Sequence, residues 1–275
     1  MQFAFSANAF HEYSPVETVE ILADIGYDGV EPLLGGTHLH PADTSAEDVA
    51  AVTEALEETG LEISNCNAFM ISETDFQHPS YIEPDADYRR ERIEYTREAV
   101  ELADTFDADS ISIQPGGPIP DGQSRAWGME TFAESMREIV PVAEQRGVNI
   151  LVEPEPDLLI ETTEHYLDFA NRLDSGAVGC NFDAGHLFCV GENPAEAVGR
   201  LSDHTPHYHL EDIPADRTHE HTQLGDGAMD IDGFLQTVED SGYDGFVTVE
   251  LYPYQETAAE TAREAYAYLD ERGWI

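Results

Sequence analysis

Asp183 and His186 stand three residues apart in Asn181-Phe182-Asp183-Ala184-Gly185-His186, directly after the apolar run Ala177-Val178-Gly179-Cys180. The arrangement recurs along the chain. Ile150-Leu151-Val152 runs into Glu153-Pro154-Glu155, His207-Tyr208-His209-Leu210 into Glu211-Asp212, and Phe246-Val247-Thr248-Val249 into Glu250. Each short apolar run delivers an acidic or imidazole group at its carboxyl end. Taken alone, any one of 57 acids is better read as a solvated surface group. Glu153, Asp183, His209 and Glu250 gain meaning as a set, because three carboxylates and one imidazole suit a divalent ion. The oxygen-rich composition favours Mn²⁺, Mg²⁺ or Co²⁺ over a structural zinc site, which draws on Cys and His. We expect one ion, Mn²⁺ first, with Mg²⁺, Co²⁺ or Zn²⁺ chemically compatible.

Elements must bring the four ends together. Apolar runs predict strands over 2–6, 30–32, 61–67, 110–114, 148–152, 178–182, 206–210 and 246–251. Helical spacing and capping residues predict helices over 15–25, 46–58, 88–106, 127–146, 162–173, 193–201, 230–240 and 256–272. Ser14-Pro15 opens the first of these and Ser45 caps the second. Gly26-Tyr27-Asp28-Gly29 and Gly242-Tyr243-Asp244-Gly245 repeat one helix-to-strand joint. Eight alternating units over this length predict an α/β fold, a (β/α)8 TIM barrel forming a single domain, 1–275. An open doubly wound sheet would carry a glycine fingerprint after its first strand, where Asn8-Ala9-Phe10-His11 stands instead. In the barrel all strand ends open on one face. Glu153, Asp183, His209 and Glu250 then end strands five to eight, which are adjacent staves.

The net charge of −45 comes from 57 acidic residues against 12 basic ones, every one of them arginine. Interleaving with apolar residues at helical spacing makes these acids the solvated faces of folded helices. Such a surface repels itself, and molar salt, with a Debye length of about 3 Å, quenches that repulsion. We therefore expect a cytoplasmic protein of a high-salt organism. The charge argues against nucleic-acid and anionic-membrane partners, which need clustered cations. Cys66, Cys180 and Cys189 form no C-x-x-C and read as free thiols. The amino terminus reads as a strand rather than a signal peptide, and no apolar run approaches the roughly 20 residues of a membrane span. The long segment 68–87 reads as a lid over a site.

Several pieces resemble the xylose isomerase-like TIM-barrel superfamily, in its sugar isomerase/epimerase branch. They are Val152-Glu153-Pro154, Asn181 to His186, His209-Leu210-Glu211-Asp212, Gly225-Asp226-Gly227 and Val249-Glu250. The resemblance implies that Glu153, Asp183, His209 and Glu250 hold the metal and that Glu153 and Glu250 also move the proton. A metal on neighbouring sugar oxygens acts as a Lewis acid and stabilises an enediolate formed by proton abstraction beside a carbonyl. His186 would bind a substrate oxygen and Arg217 the region of the carbonyl or reacting hydroxyl. Glu155, Asn67, Gln114 and His221 are further expected substrate contacts. One departure stands out: ketose 3-epimerases of this type carry another glutamate where this chain has Leu158-Leu159-Ile160. Isomerase, epimerase and dehydratase chemistry therefore stay open. The alternatives are a lyase on the same barrel, such as a keto-inositol dehydratase or C-glycoside-cleaving enzyme, and a non-catalytic barrel within a complex. Cations near the mouth are few, Arg217 and Arg125, so the expected partner is an unphosphorylated sugar or polyol. The chain is expected to form a homo-oligomer.

Overall fold

The computed structural model describes residues 1–36, 38–69 and 75–275. Parallel strands form one ring. They are β1 (Gln2–Ser6), β2 (Gly29–Glu31), β3 (Glu62–Ile63), β4 (Cys66–Asn67), β5 (Ser110–Ile113), β6 (Asn149–Val152), β7 (Val178–Asp183), β8 (His207–Leu210) and β9 (Phe246–Val249). The order is β3-β2-β1-β9-β8-β7-β6-β5-β4. β3 and β4 are two halves of the predicted third strand. One half pairs with β2 and the other with β5, and a bridge from Leu33 to Asn67 joins the two edges. The fold is thus the expected single-domain (β/α)8 barrel, with its third stave interrupted at Ser64-Asn65.

Helices α1 (Pro15–Ile25), α2 (Ala46–Thr59), α3 (Ala86–Thr105), α4 (Arg125–Arg146), α5 (Thr163–Ala170), α6 (Ala184–Cys189), α7 (Pro194–Leu201), α8 (Ile231–Asp240) and α9 (Ala258–Arg272) follow the strands. Local chemistry sets their ends. Ser14 and Ser45 form capping boxes with Glu17 and Asp48. Gly26 ends α1 at φ 116, and an added Cβ would stand 2.8 Å from the Tyr266 hydroxyl. Only glycine meets both conditions. The short α6 was not expected; Asp183 caps it, so the candidate ligand is also the residue that turns strand into helix. Among the described residues no helix is long and apolar enough to cross a membrane.

Residues 70–74 of the predicted lid lie outside the described residues. The flanking parts are pinned by Arg92, a fully buried residue of α3. Its Nε donates to Pro79 O at 2.7 Å, Nη1 to Phe69 O at 2.6 Å and Nη2 to Phe76 O at 2.7 Å. A buried guanidinium is tolerated when its donors are satisfied. Here that requirement fixes Phe69 and Phe76 over the carboxyl ends of the strands.

Candidate active site

Register aligns the candidate ligands. Asp183 pairs with His209 across β7 and β8, and Leu210 pairs with Val249 directly before Glu250. Ligand atoms of Glu153, Asp183, His209 and Glu250 lie within 4.8 Å of one another, all four residues being buried. His209 is central. Its Nδ1 stands 3.5 Å from Glu153, 3.8 Å from Asp183 and 3.6 Å from Glu250, while Nε2 lies 2.9 Å from Glu31. Asp183 Oδ1 accepts from the His186 backbone at 2.6 Å; its Oδ2 is buried with no hydrogen-bond partner. Three buried carboxylates around one imidazole are costly without a cation. The orphaned Oδ2 and the donor set therefore fit a divalent metal.

Burial pushes Glu153 above the usual carboxylate range, partly offset by His209. Glu250 goes further up for the same reason. His209 rises well above an ordinary imidazole: burial opposes its charge, but Glu31, Glu250 and Glu153 outweigh that. Burial would also raise Glu31, yet the His209 charge and its hydrogen bonds pull it down to about 2.

A second layer holds these groups. Asn8 Nδ2 donates to Glu250 Oε1 at 2.7 Å and Asn67 Nδ2 reaches the same atom at 3.4 Å. Asn181 Nδ2 donates to Glu153 Oε2 at 2.6 Å, so its Oδ1 is left to accept from His207 Nδ1 at 2.7 Å. His207 Nε2 lies 2.7 Å from the Thr248 hydroxyl, which also reaches Ser64 Oγ at 3.0 Å. Burial lowers His207 to about 3, which agrees with a neutral ring.

A cavity of about 320 Å³ opens above this floor. Glu153, Glu250, Glu155, His186 and Asn67 line it, as do His219, Asn8, Phe69, Phe76 and Tyr252. Glu155 Oε2 is buried without a partner, and burial, then the charge of Glu153, raises its carboxyl well above the usual range. Burial, then His219, lowers His186 well below an ordinary imidazole, and its Nδ1 sits 3.1 Å from Pro154 O.

Three expected contacts lie elsewhere. His221 is behind the wall, with Nδ1 on the Glu250 carbonyl at 2.9 Å and Nε2 at 3.3 Å from His186 Nε2. Gln114 Nε2 donates to the carbonyls of Phe76 and Gln77, at 3.1 and 3.3 Å, and Gln114 does not line the cavity. Arg217 is exposed and stacks 4.2 Å over the Phe188 ring while donating to the Phe188 carbonyl. Arg125 is paired with Glu161 at 2.6 Å. Among the described residues no arginine lines the cavity. Gly116 packs against Leu159 and Gly117 against Ser80.

Sequence reading assigned no role to Asn8, Asn181, His207 and Glu211. Strand alternation offered a signal for two of them: Asn181 and His207 precede Asp183 and His209 by two residues and share their face. Glu211 is buried with both oxygens unpartnered, and burial followed by Asp183 raises its carboxyl well above the usual range.

A family profile described as xylose isomerase-like TIM barrel matches residues 19–272. A protein of Methanocaldococcus jannaschii is 27% identical over 258 residues, 91% of this chain and 83% of that protein. An inosose dehydratase of Clostridium perfringens is 26% identical over 185 residues, 59% of this chain and 62% of the dehydratase. The chain thus matches less than two thirds of that relative's length. The crystal structure of a D-tagatose 3-epimerase-like protein superposes with a TM-score of 0.80 at 25% identity, covering 99% of both chains. With the profile spanning nearly the whole barrel, the chain belongs to the xylose isomerase-like TIM barrel family.

Proposed function

We propose that this protein is a divalent-metal-dependent sugar isomerase or epimerase, acting on a neutral sugar or cyclic polyol by moving a proton beside a carbonyl. The observation that carries the reading is the buried convergence of Glu153, Asp183, His209 and Glu250 at the floor of the cavity. Those four side chains would hold the ion, which supplies Lewis-acid polarisation of substrate oxygens when bound. Glu153 and Glu250 also line the cavity, so each can serve as the base that takes a proton from carbon or the acid that returns one. Asn181 holds one oxygen of Glu153, and Asn8 holds one oxygen of Glu250. Phe69, Phe76 and Tyr252 give the cavity an apolar wall suited to the C–H face of a sugar ring. The acidic lining repels a phosphate or carboxylate on the substrate.

Dehydration is the second reading. The inosose dehydratase relative favours it, as does Glu155, an unpartnered buried carboxyl in the cavity wall. In that case Glu155 protonates the departing hydroxyl after a glutamate has removed the carbon-bound proton.

The test is a panel of ketoses and inososes incubated with Mn²⁺ in molar KCl and D₂O. Deuterium appearing at carbon in an isomer of the substrate supports the first reading. Loss of water to give an unsaturated ketone supports the second. No exchange and no product across the panel would refute both.

A further inference from the structure

Glu31 lies on β2, three staves round the ring from β8, which carries His209, and it is fully buried. It is not a lining residue of the cavity. Three donors converge on its carboxylate. Ser6 Oγ donates to Oε2 at 2.6 Å, Asn65 Nδ2 to Oε1 at 2.7 Å, and His209 Nε2 to Oε1 at 2.9 Å. Asn65 is itself oriented, because Ser110 Oγ donates to its Oδ1 at 2.7 Å. Asn65 lies in the break between β3 and β4, and from there it reaches Glu31.

An ionised carboxylate only accepts, so the ring nitrogen facing Glu31 must carry its hydrogen. A ligating imidazole is neutral, so an ion that binds displaces any second proton, and the nitrogen opposite Glu31 is the one that presents the lone pair. That nitrogen is Nδ1, the atom between Glu153, Asp183 and Glu250. We infer that Glu31 is a positioning residue of the metal centre, fixing the His209 tautomer and ring orientation so that Nδ1 points at the ion. The inference rests on reading those four side chains as metal ligands. Carboxylate partners of ligating histidines characteristically tune affinity by about 10- to 100-fold.

The test titrates the metal-free full-length protein with Mn²⁺ by calorimetry in molar KCl, for wild type, Glu31→Gln and Glu31→Ala. Weakening by roughly 10- to 100-fold in a variant whose metal-free melting temperature matches wild type supports the assignment. Wild-type affinity in either folded variant overturns it, as does a loss that tracks a lowered metal-free melting temperature. A wild-type chain that binds no Mn²⁺ overturns the ligand reading, and this inference with it. A second measurement needs no Glu31 variant: ¹⁵N spectra of histidine-labelled, Zn²⁺-loaded protein, with His209 identified by the signal that His209→Gln removes. Nε2 protonated and Nδ1 on the metal is the expected result. Nε2 on the metal overturns the inference even if both Glu31 variants fail to fold.

Discussion

Asn8 Nδ2 donates to Glu250 Oε1 at 2.7 Å, so a residue just past the first strand holds the carboxylate that ends the last. Ring closure makes these distant positions neighbours: β1 pairs with β9. Removing the amide leaves Glu250 with the longer contact to Asn67 at 3.4 Å. A hydrogen bond to a charged group contributes about 1.5–3 kcal/mol. For Asn8→Ala we therefore expect kcat to fall by roughly tenfold or more, with Mn²⁺ affinity weakened as well, because Glu250 is one of the proposed ligands. Steady-state kinetics alongside metal content check this, and an unchanged kcat would remove Asn8 from the account.

Gly185 and Glu211 share one space. A Cβ on Gly185 would stand 1.8 Å from Glu211 Oε1 and 2.8 Å from the Ile213 side chain. Overpacking of a filled interior costs about 1–3 kcal/mol. Gly185→Ala should lower unfolding stability by that amount and displace Glu211 toward Asp183. Urea unfolding at fixed KCl reads the first effect. Full wild-type stability would mean that the Glu211 carboxyl has somewhere else to go.

The barrel was legible because it rests on local signals: alternating apolar runs, capping serines, and a glycine-bounded joint used twice. The four proposed ligands were legible for the same reason, each ending a stave. Other features depended on pairing across the ring. Asn8 and Glu31 reach the site only once β1 pairs with β9 and closes the ring, bringing β1 and β2 round to the strands that carry the ligands. Asn65 needed the break in the third stave, which no composition signal marked. Arg217 and Gln114 were assigned to substrate from loop and strand-end position, but the nearest good partners, the Phe188 ring and the carbonyls of Phe76 and Gln77, took them first.

His207 gives a pH signature. Burial sets it near 3 in the folded chain, whereas a solvated imidazole titrates near 6.5. As pH falls below 6.5 the unfolded chain takes up this proton first. The contribution is therefore intact above about pH 6.5, is lost at up to roughly 1.4 kcal/mol per pH unit, and is gone near pH 3. Carboxylates titrate in the same window, so the comparison is between wild type and His207→Gln. The variant should show a shallower loss of stability from pH 6 to pH 4 in metal-free protein at constant salt. Parallel curves would show that His207 does not stay neutral on folding.

The chain carries a formal net charge of −45, and exposed arginines such as Arg90 and Arg146 are already paired with acids. Between 0.1 M and 1 M salt the Debye length shrinks from about 10 Å to about 3 Å. Thermal melts should move upward as KCl rises from 0.1 M to 2 M, the behaviour expected of a chain adapted to high salt. Equal or lower melting temperatures at 2 M would contradict that adaptation.

Asp183 Oδ2, buried and unpartnered, is the atom that most plainly calls for a cation. The decisive measurement is a calorimetric titration of metal-free wild type and Asp183→Ala with Mn²⁺ in molar KCl. The account predicts one ion per chain for the wild type and loss of that binding in the variant, with deuterium exchange into substrate lost in parallel. A wild type with no saturable binding, or an Asp183→Ala chain that binds and exchanges like wild type, would contradict it.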